Sequence, residues 1–316
     1  MRKYQSYRLF LRSLLLLLLV VILGDLALGS LLRHFYFKQR SGDNYRMIQS
    51  IEHTTADVLI FGSSRSTRHY RPDVLADSLG LTYYNTGKDG QDILYAAAVG
   101  KCVFSRYKPK LVILDIRRGE FRQGSYDRLS KLLPFYRTHP EIRPFIELRG
   151  PFEKIKLLSS VYPFNSEFFA ILVTNTSFNE EKRKDDRGYL PLYKTWTKPL
   201  NLETSLLTTH SSLDPVRVEA FRAFVSDCRN RQIPMVVVSS PYYSLPLNPD
   251  SSLIVASSIC REYQTIFLDI SQDTSYLDHP EWFQDVQHLN QNGALRFSEN
   301  LVALIRENIP ELVGSR

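Results

Sequence analysis

The sequence predicts an α/β fold: a five-stranded, mainly parallel sheet between two layers of helices, preceded by one transmembrane helix. Three observations predict it. Short continuous apolar runs recur along the chain, as in strands buried on both faces. Helical periodicity separates these runs, and strand–helix–strand alternation is typical of a three-layer domain with right-handed crossovers. One stretch near the N-terminus is apolar and long enough to cross a bilayer.

The first element is the stretch from Ser13 to Leu32, whose one charged residue is Asp25. About twenty apolar residues span a bilayer as a helix. The basic residues before it favour a cytoplasmic tail at residues 1–12, although basic residues also follow it. The alternative to an uncleaved anchor is a cleaved signal peptide, for which "ALGS" is a weak cleavage site. Asp25 is costly in lipid, so it is either functional or placed near the outer membrane interface.

Five strands and four helices follow a predicted stalk at residues 33–55. Each strand is a short apolar run, and each helix has a stop or cap signal, such as Gly80 after the first and Asp214 before the third. The predicted strands are Asp57–Phe61, Thr82–Asn85, Leu111–Ile116, Pro234–Ser240 and Thr265–Ile270. The predicted helices are Pro72–Leu79, Gln91–Tyr107, Pro215–Arg231 and Asn292–Ile309.

These elements define one folded domain at residues 56–312. Residues 117–213 separate its third and fourth strands, and this segment is too long for a single crossover. We therefore predict an insertion that lies over the site.

Composition narrows the function classes. The chain has 316 residues, 43% of them hydrophobic, and a net charge of +7. The basic residues are scattered, without a long Lys/Arg run or a nucleic-acid-binding motif, so we expect no nucleic-acid partner. Cys102, Cys228 and Cys260 have no metal-binding spacing, so we expect no metal site and three small apolar side chains in or near the core.

A catalytic serine is the first functional candidate. Parallel sheets bind ligands at the carboxyl ends of their strands, and Gly-Ser-Ser follows the first predicted strand. A serine nucleophile needs a base. Of the seven histidines, only His288 has an aspartate three residues earlier, Asp285. A carboxylate so placed can hold one ring nitrogen while the other faces Ser64.

These blocks, in this order, resemble the SGNH or GDSL-type hydrolase superfamily, which has a flavodoxin-like fold. "GSS" resembles the block that carries the nucleophile, which implies Ser64, with Ser63 in place of the usual aspartate. "NTGKDG" resembles the block whose glycine N–H serves the oxyanion hole, which implies Gly87 alongside the Ser64 N–H. "DVQHLN" resembles the Asp-x-x-His block, which implies Asp285 and His288.

One block departs from the family pattern. An asparagine after the third strand should donate to the oxyanion, but that place reads "LDIRRGEF". The third donor is then Arg117, Arg118 or a residue of the insertion. Arg65 and Tyr242 are predicted to contact substrate, with a solvated basic face and a Pro-terminated loop as the alternatives.

The resemblance implies a membrane-anchored serine esterase or O-acyltransferase of the bacterial inner membrane, with its domain facing the periplasm or cell exterior. Its partners would be the membrane, an acylated envelope glycan or similar ester, and an envelope acyl-transfer machinery. No cofactor is implied. A catalytically silent accessory subunit and a flavodoxin-like phosphate or flavin binder are the alternatives. The acyl group, the acceptor, the oligomeric state and the choice between hydrolysis and transfer stay open.

Overall fold

The computed structural model describes residues 2–176, 185–197, 212–244 and 248–312. The chain forms two compact units. We call residues 1–45 with 130–184 the N-terminal unit, and residues 46–129 with 185–316 the sheet unit.

The two units divide the chain differently from the predicted domains. The predicted stalk at 33–55 is shared between them, because its residues continue the first helix or form further helices with buried side chains. The predicted insertion at 117–213 is also shared, and its residues 177–184 and 198–211 lie outside the described residues.

Eleven α-helices are named in chain order over the described residues, with short 3₁₀ turns and a π-helix at Gln49–His53 between them. Their bounds are α1 Arg2–Phe37, α2 Gly42–Ile48, α3 Ser64–His69, α4 Pro72–Leu79, α5 Ile93–Arg106, α6 Arg143–Glu147, α7 Glu153–Lys156, α8 Phe168–Thr174, α9 Pro215–Asn230, α10 Ser251–Glu262 and α11 Gln291–Asn308.

The sheet unit contains a five-stranded parallel sheet of order β2-β1-β3-β4-β5, which confirms the predicted fold class. Each strand is one or two residues shorter than predicted. The strands are β1 Val58–Phe61, β2 Tyr83–Asn85, β3 Leu111–Asp115, β4 Met235–Ser239 and β5 Ile266–Asp269.

Side chains alternate between two helical layers, as the period of a strand requires. In β1, Ile60 belongs to a core that includes Phe297 of α11. Its neighbour Phe61 faces the other way, with its ring centroid 5.2 Å from that of Phe224 in α9. Strands β1 to β4 are buried throughout, which explains their apolar runs, whereas the edge strand β5 is partly exposed.

The predicted helices are confirmed within two residues, and so are their caps. Gly80 ends α4 with φ of 66°, and the Asp214 carboxylate accepts a hydrogen bond from the Val216 N–H at the start of α9. The sequence analysis missed α10, which is the crossover between β4 and β5. It also missed α3, the short helix that begins at Ser64.

The N-terminal unit is organised around α1, a continuous helix of 36 residues. It is the one helix in the described ranges that is long and apolar enough to span a membrane. Residues 4–24 are exposed on every side. From Asp25 onward one stripe packs inward, because Gly29, Leu32 and Tyr36 are buried.

Residues 159–176 pack against the second half of α1. The Tyr36 ring lies between Phe135 and Phe164, with centroids 6.0 and 5.5 Å away. The Asp25 carboxylate accepts hydrogen bonds from the Ser159 hydroxyl and, at 2.6 Å, from the Ser160 N–H. An added Cβ on Gly29 would lie 2.4 Å from the Ser160 carbonyl carbon, so only glycine admits this loop.

Candidate active site

The turn after β1 explains the Gly-Ser-Ser sequence. Gly62 has φ of 145°, and a Cβ there would lie 2.7 Å from the backbone oxygen of Asp115 in the adjacent strand. Glycine therefore lets the chain leave the sheet at a close approach. Ser63 precedes α3 with an extended backbone, and Ser64 is the first residue of that helix. The turn thus places Ser64 at the carboxyl edge of the sheet.

The structure brings Ser64 and His288 together across 224 residues of sequence. The Ser64 Oγ lies 2.8 Å from the His288 Nε2, which is ordinary hydrogen-bond distance. Both side chains are partly exposed. His288 comes from the loop before α11, where Asn290 caps the helix by accepting hydrogen bonds from the Asn292 and Gly293 N–H groups. The fixed start of α11 holds this loop in position.

Asp285 contacts the opposite side of the imidazole. Both of its carboxylate oxygens lie 2.9 Å from the His288 Nδ1. Its Oδ1 also accepts hydrogen bonds from the backbone N–H groups of Gln287 and His288. Burial alone would raise the pKa of Asp285, but these hydrogen bonds outweigh burial and hold the pKa below its usual range. The carboxylate is therefore charged at neutral pH and accepts a hydrogen bond from the His288 Nδ1.

Two of the three predicted oxyanion donors have other partners in the structure. The Gly87 N–H donates to the Asn85 Oδ1 at 2.9 Å. The Arg117 Nε donates to Glu120 Oε2 at 3.3 Å. The third predicted donor is the backbone N–H of Ser64, in the first turn of α3.

The two predicted substrate contacts are both buried. Arg65 is 2% exposed and Tyr242 is 6% exposed. The Arg65 guanidinium lies 3.7 Å from the centroid of the Tyr242 ring and donates to Ser240, with 2.7 Å between its Nη2 and the hydroxyl. The Arg118 guanidinium lies 4.2 Å from the same centroid, and its backbone N–H donates to the Tyr242 hydroxyl. Tyr242 thus contacts one buried and one partly buried cation at this edge.

A buried polar network below Ser64 was missed by sequence reasoning. Its centre is Ser240, whose hydroxyl and N–H hydrogen-bond to Asp115. The same hydroxyl is 2.8 Å from the His69 Nδ1, and Asp115 accepts a hydrogen bond of 2.6 Å from Tyr70. A usable signal existed: Asp115 and Ser240 are the polar residues that close the apolar runs of β3 and β4, so both had to lie at the carboxyl edge.

His69 and His288 lie in this region in different environments. Their ring centroids are 6.4 Å apart. Burial lowers the pKa of His69 well below its usual value, and the nearby charges of Arg65, His288 and Arg68 lower it further. The His69 Nε2 accepts a hydrogen bond from the Leu289 N–H, so the proton of this neutral ring is on Nδ1. His69 therefore holds the loop of His288 without titrating at neutral pH.

A cleft of about 480 Å³ follows β3, lined by charged residues that include Arg117, Glu120 and Arg217. Glu120 is buried, and burial raises its pKa to about 7. Its Oε1 accepts a hydrogen bond of 2.7 Å from the Ile93 N–H at the start of α5. In the described part of the chain, no group of three or more His, Cys, Asp or Glu side chains is placed to hold a metal ion.

Comparisons with known proteins find remote structural likeness alone. No family model matches the chain, and no curated protein matches it. A catalytic mutant of an acetylxylan esterase from Geobacillus stearothermophilus is 14% identical, with a TM-score of 0.39; the match covers 83% of this chain and 98% of the esterase. An alpha/beta hydrolase from the metagenome of Lake Arreo, Spain, is 12% identical, with a TM-score of 0.36; the match covers 80% of this chain and 94% of the hydrolase. Likeness this low leaves the chemistry to be argued from the side chains.

Proposed function

We propose that the protein is a membrane-anchored serine esterase or O-acyltransferase with Ser64, His288 and Asp285 as its catalytic triad. One observation carries the proposal: Ser64 Oγ lies 2.8 Å from the His288 Nε2, while Asp285 lies 2.9 Å from the Nδ1 of the same ring. This is the nucleophile, base and orienting acid of acyl transfer, each within reach of the next.

In the acylation step, the Ser64 Oγ attacks the carbonyl carbon of an ester while the His288 Nε2 takes the hydroxyl proton. The negative charge of Asp285 stabilises the imidazolium that results. His288 then gives this proton to the alkoxide leaving group, so the C–O bond of the ester breaks and an acyl-Ser64 intermediate forms. Asp285 fixes the tautomer throughout and is not itself protonated.

In the second step, water or a sugar hydroxyl attacks the acyl-Ser64 carbonyl. His288 removes the proton of this acceptor and returns it to the Ser64 oxygen. Water gives hydrolysis, and a hydroxyl gives acyl transfer. The partial exposure of the triad allows either acceptor to reach the intermediate.

The availability of oxyanion donors limits the rate that we expect for the proposed reaction. The Gly87 N–H would have to leave Asn85, or Arg117 would have to leave Glu120, before either could reach an oxyanion. Each missing donor costs on the order of a hundredfold to a thousandfold in rate. We therefore expect slow turnover of small activated esters and faster turnover when the true substrate rearranges the loop at Gly87.

The proposed setting is the bacterial inner membrane, with α1 as a single-pass anchor and the triad facing the periplasm or cell exterior. The apolar stretch of α1 supports this setting. Acyl groups on an envelope glycan or a similar ester are the proposed substrate class, by resemblance to the SGNH superfamily. An envelope acyl-transfer machinery is the proposed partner.

The engaged state of Gly87 and Arg117 favours one second candidate. A catalytically silent accessory subunit would keep the fold without a working oxyanion hole. The phosphate-binder alternative loses support, because the basic residues of "SSRSTR" have protein partners: Arg65 donates to Ser240, and Arg68 pairs with Asp89.

A fluorophosphonate probe tests the proposal on the full-length protein in membranes. We expect covalent labelling of the unsubstituted chain and none of Ser64→Ala. Ser105→Ala is the matched control, because its hydroxyl lies on the exposed last turn of α5 and bonds only the Cys102 carbonyl among the contacts described. Labelling of all three chains would place the reactive group elsewhere. A folded chain that is never labelled would favour the accessory subunit.

A further inference from the structure

Six large apolar side chains in residues 152–172 of the N-terminal unit are at least 48% exposed. They lie on and around α7 and α8 and are Phe152, Ile155, Leu158, Phe168, Phe169 and Leu172. We call these six residues the apolar surface. Leu158 and Phe169 are each 77% exposed. An exposed cluster of this kind marks a site of interaction with a protein or a membrane.

The length of the exposed part of α1 decides between a protein partner and a membrane. About twenty helical residues are needed to cross a hydrocarbon core of about 30 Å. The helix is exposed all round only as far as Gly24. Counted from Ser13, which follows Arg12, that leaves twelve residues, or about 18 Å. The hydrocarbon core therefore has to extend beyond Asp25, to the level where residues 159–176 pack on one side of the helix.

The other side of α1 at this level is apolar and open. Leu26, Leu28 and Leu31 are about half exposed, whereas Gly29 and Leu32 face the packed segment. The Asp25 carboxylate, a costly group in lipid, has the Ser159 hydroxyl and the Ser160 N–H as donors. A segment that supplies hydrogen bonds to Asp25 has to reach the depth of Asp25, which is seven residues, or about 10 Å, below Leu32.

The sequence of the segment fits that depth. In "FEKIKLL", which begins at Phe152, apolar residues stand beside Lys154 and Lys156, whose side chains are at least half exposed while pairing with Glu147 and Glu153. Lysines next to apolar residues are typical of helices that lie in the membrane interface, where their ammonium groups reach the headgroups. Arg33 and Lys38 follow the exposed leucines of α1 and supply positive charge at the next level.

We propose that the apolar surface is a membrane-docking site, immersed in the lipid leaflet at which α1 leaves the bilayer. Its occupant is the acyl-chain and headgroup boundary of that leaflet, at the depth of about 5–10 Å that interfacial helices reach. Asp25 and the 159–161 loop hold the segment against α1 at this depth. This inference rests on the membrane anchoring of the proposed function and is independent of its chemistry.

The test uses the full-length protein in lipid nanodiscs with an environment-sensitive NBD label on introduced cysteines. The native cysteines are all buried, and the unsubstituted chain measures their residual labelling. Phe169→Cys and Leu158→Cys report on the apolar surface. Leu19→Cys reports on the span of α1. Ile254→Cys is the matched control, because it replaces an exposed aliphatic side chain of the sheet unit.

We expect labels at 169, 158 and 19 to emit at shorter wavelength than the label at 254. Lipids with a shallow spin label should quench the first two at least about twofold more than the control, as for groups in the interface. If the label at 19 is quenched by lipid and those at 158 and 169 behave like the control, the anchor stands and the docking site is overturned. A shortened wavelength without lipid quenching would show contact with a second copy and also overturn it. If the label at 19 is itself in water, both proposals fall.

Discussion

The two units place apolar and polar side chains in opposite ways. In the sheet unit the strands are buried on both faces, and polar groups gather at the carboxyl edge around Ser240 and Asp115. In the N-terminal unit large apolar side chains such as Phe169 are exposed. A polar contact within this unit joins Asp25 of α1 to Ser159. The difference teaches that the N-terminal unit leaves apolar surface exposed, as the proposed contact with lipid requires, whereas most large apolar side chains of the sheet unit are buried.

The largest expected effect comes from replacing the proposed catalytic base of the sheet unit, His288. His288→Gln removes the base that accepts the Ser64 proton, so kcat/KM for a small acyl ester should fall by about 10⁴-fold or more. The chain supplies a matched control in His279→Gln, because the exposed His279 also pairs with a carboxylate, Glu281, in the same loop region. The control should keep the parent rate. Equal losses in both variants would contradict the triad.

The next effect separates orientation from proton transfer. Asp285→Asn keeps the shape of the side chain but no longer stabilises the imidazolium or the required tautomer, so kcat should fall by about 10³–10⁴-fold. Asp273→Asn is the comparison, because Asp273 caps a short 3₁₀ turn in the same way through Ser275. The measurement is kcat of the purified, folded variants. A fall in kcat of less than about tenfold for Asp285→Asn would contradict a role of Asp285 in the triad.

A change in Glu120 tests the polar edge of the sheet unit through stability. Its pKa is about 7 in the folded chain against a usual value of 4.5, so the folded state binds more protons between these pH values. Stability from this carboxyl is therefore present below about pH 4.5 and is lost as pH rises through 7. Glu120→Gln carries no charge at this position. Above pH 7 its free energy of unfolding should therefore exceed that of the parent by up to about 3 kcal/mol.

Denaturant unfolding at pH 5 and pH 8 measures this effect. Glu299→Gln serves as the control, since Glu299 is exposed and pairs only with Arg296 among the contacts described, so its substitution should not change the pH dependence. A parent protein whose stability relative to Glu120→Gln is the same at both pH values would show that Glu120 is charged in the folded state.

The smallest expected effect lies in the N-terminal unit. Asp25→Asn keeps one acceptor oxygen but loses the negative charge that strengthens the hydrogen bonds from Ser159 and Ser160. We expect the loss to weaken the attachment of this loop to α1 by about 1–2 kcal/mol. Hydrogen exchange in nanodiscs should show about tenfold faster exchange at the Ser160 amide. Amides of β1 in the sheet unit should keep their protection. Unchanged exchange at Ser160 would mean that the loop is held by packing at Gly29 instead.

The sequence predicted the sheet unit well because local and global signals agree there. Each strand is a short apolar run, Asp214 and Gly80 mark helix ends, and the alternation of strands and helices indicates a three-layer domain. Ser64, Asp285 and His288 were predicted to lie together, and the structure brings them together; their catalytic role stays a prediction. The network of Arg65, His69 and Asp115 was missed, because it depends on tertiary contacts that no spacing along the chain records.

The N-terminal unit was predicted less well. The apolar stretch from Ser13 to Leu32 indicated a span, but nothing local showed that α1 continues to Phe37 or that residues 130–184 return to it. One interaction that joins them is between Asp25 and Ser159, which are 134 residues apart. A charged residue in an apolar run indicates that a partner exists, but the sequence does not identify which one.

The unbroken course of α1 has a mechanical consequence. A flexible tether would take up a change in bilayer thickness as slack. Because α1 runs as one helix from Arg2 into the packed stripe at Tyr36, it has no such slack between its exposed part and the residues that pack on it. As the proposed membrane anchor, α1 would tilt in a thicker or thinner bilayer together with residues 159–176, which pack on it.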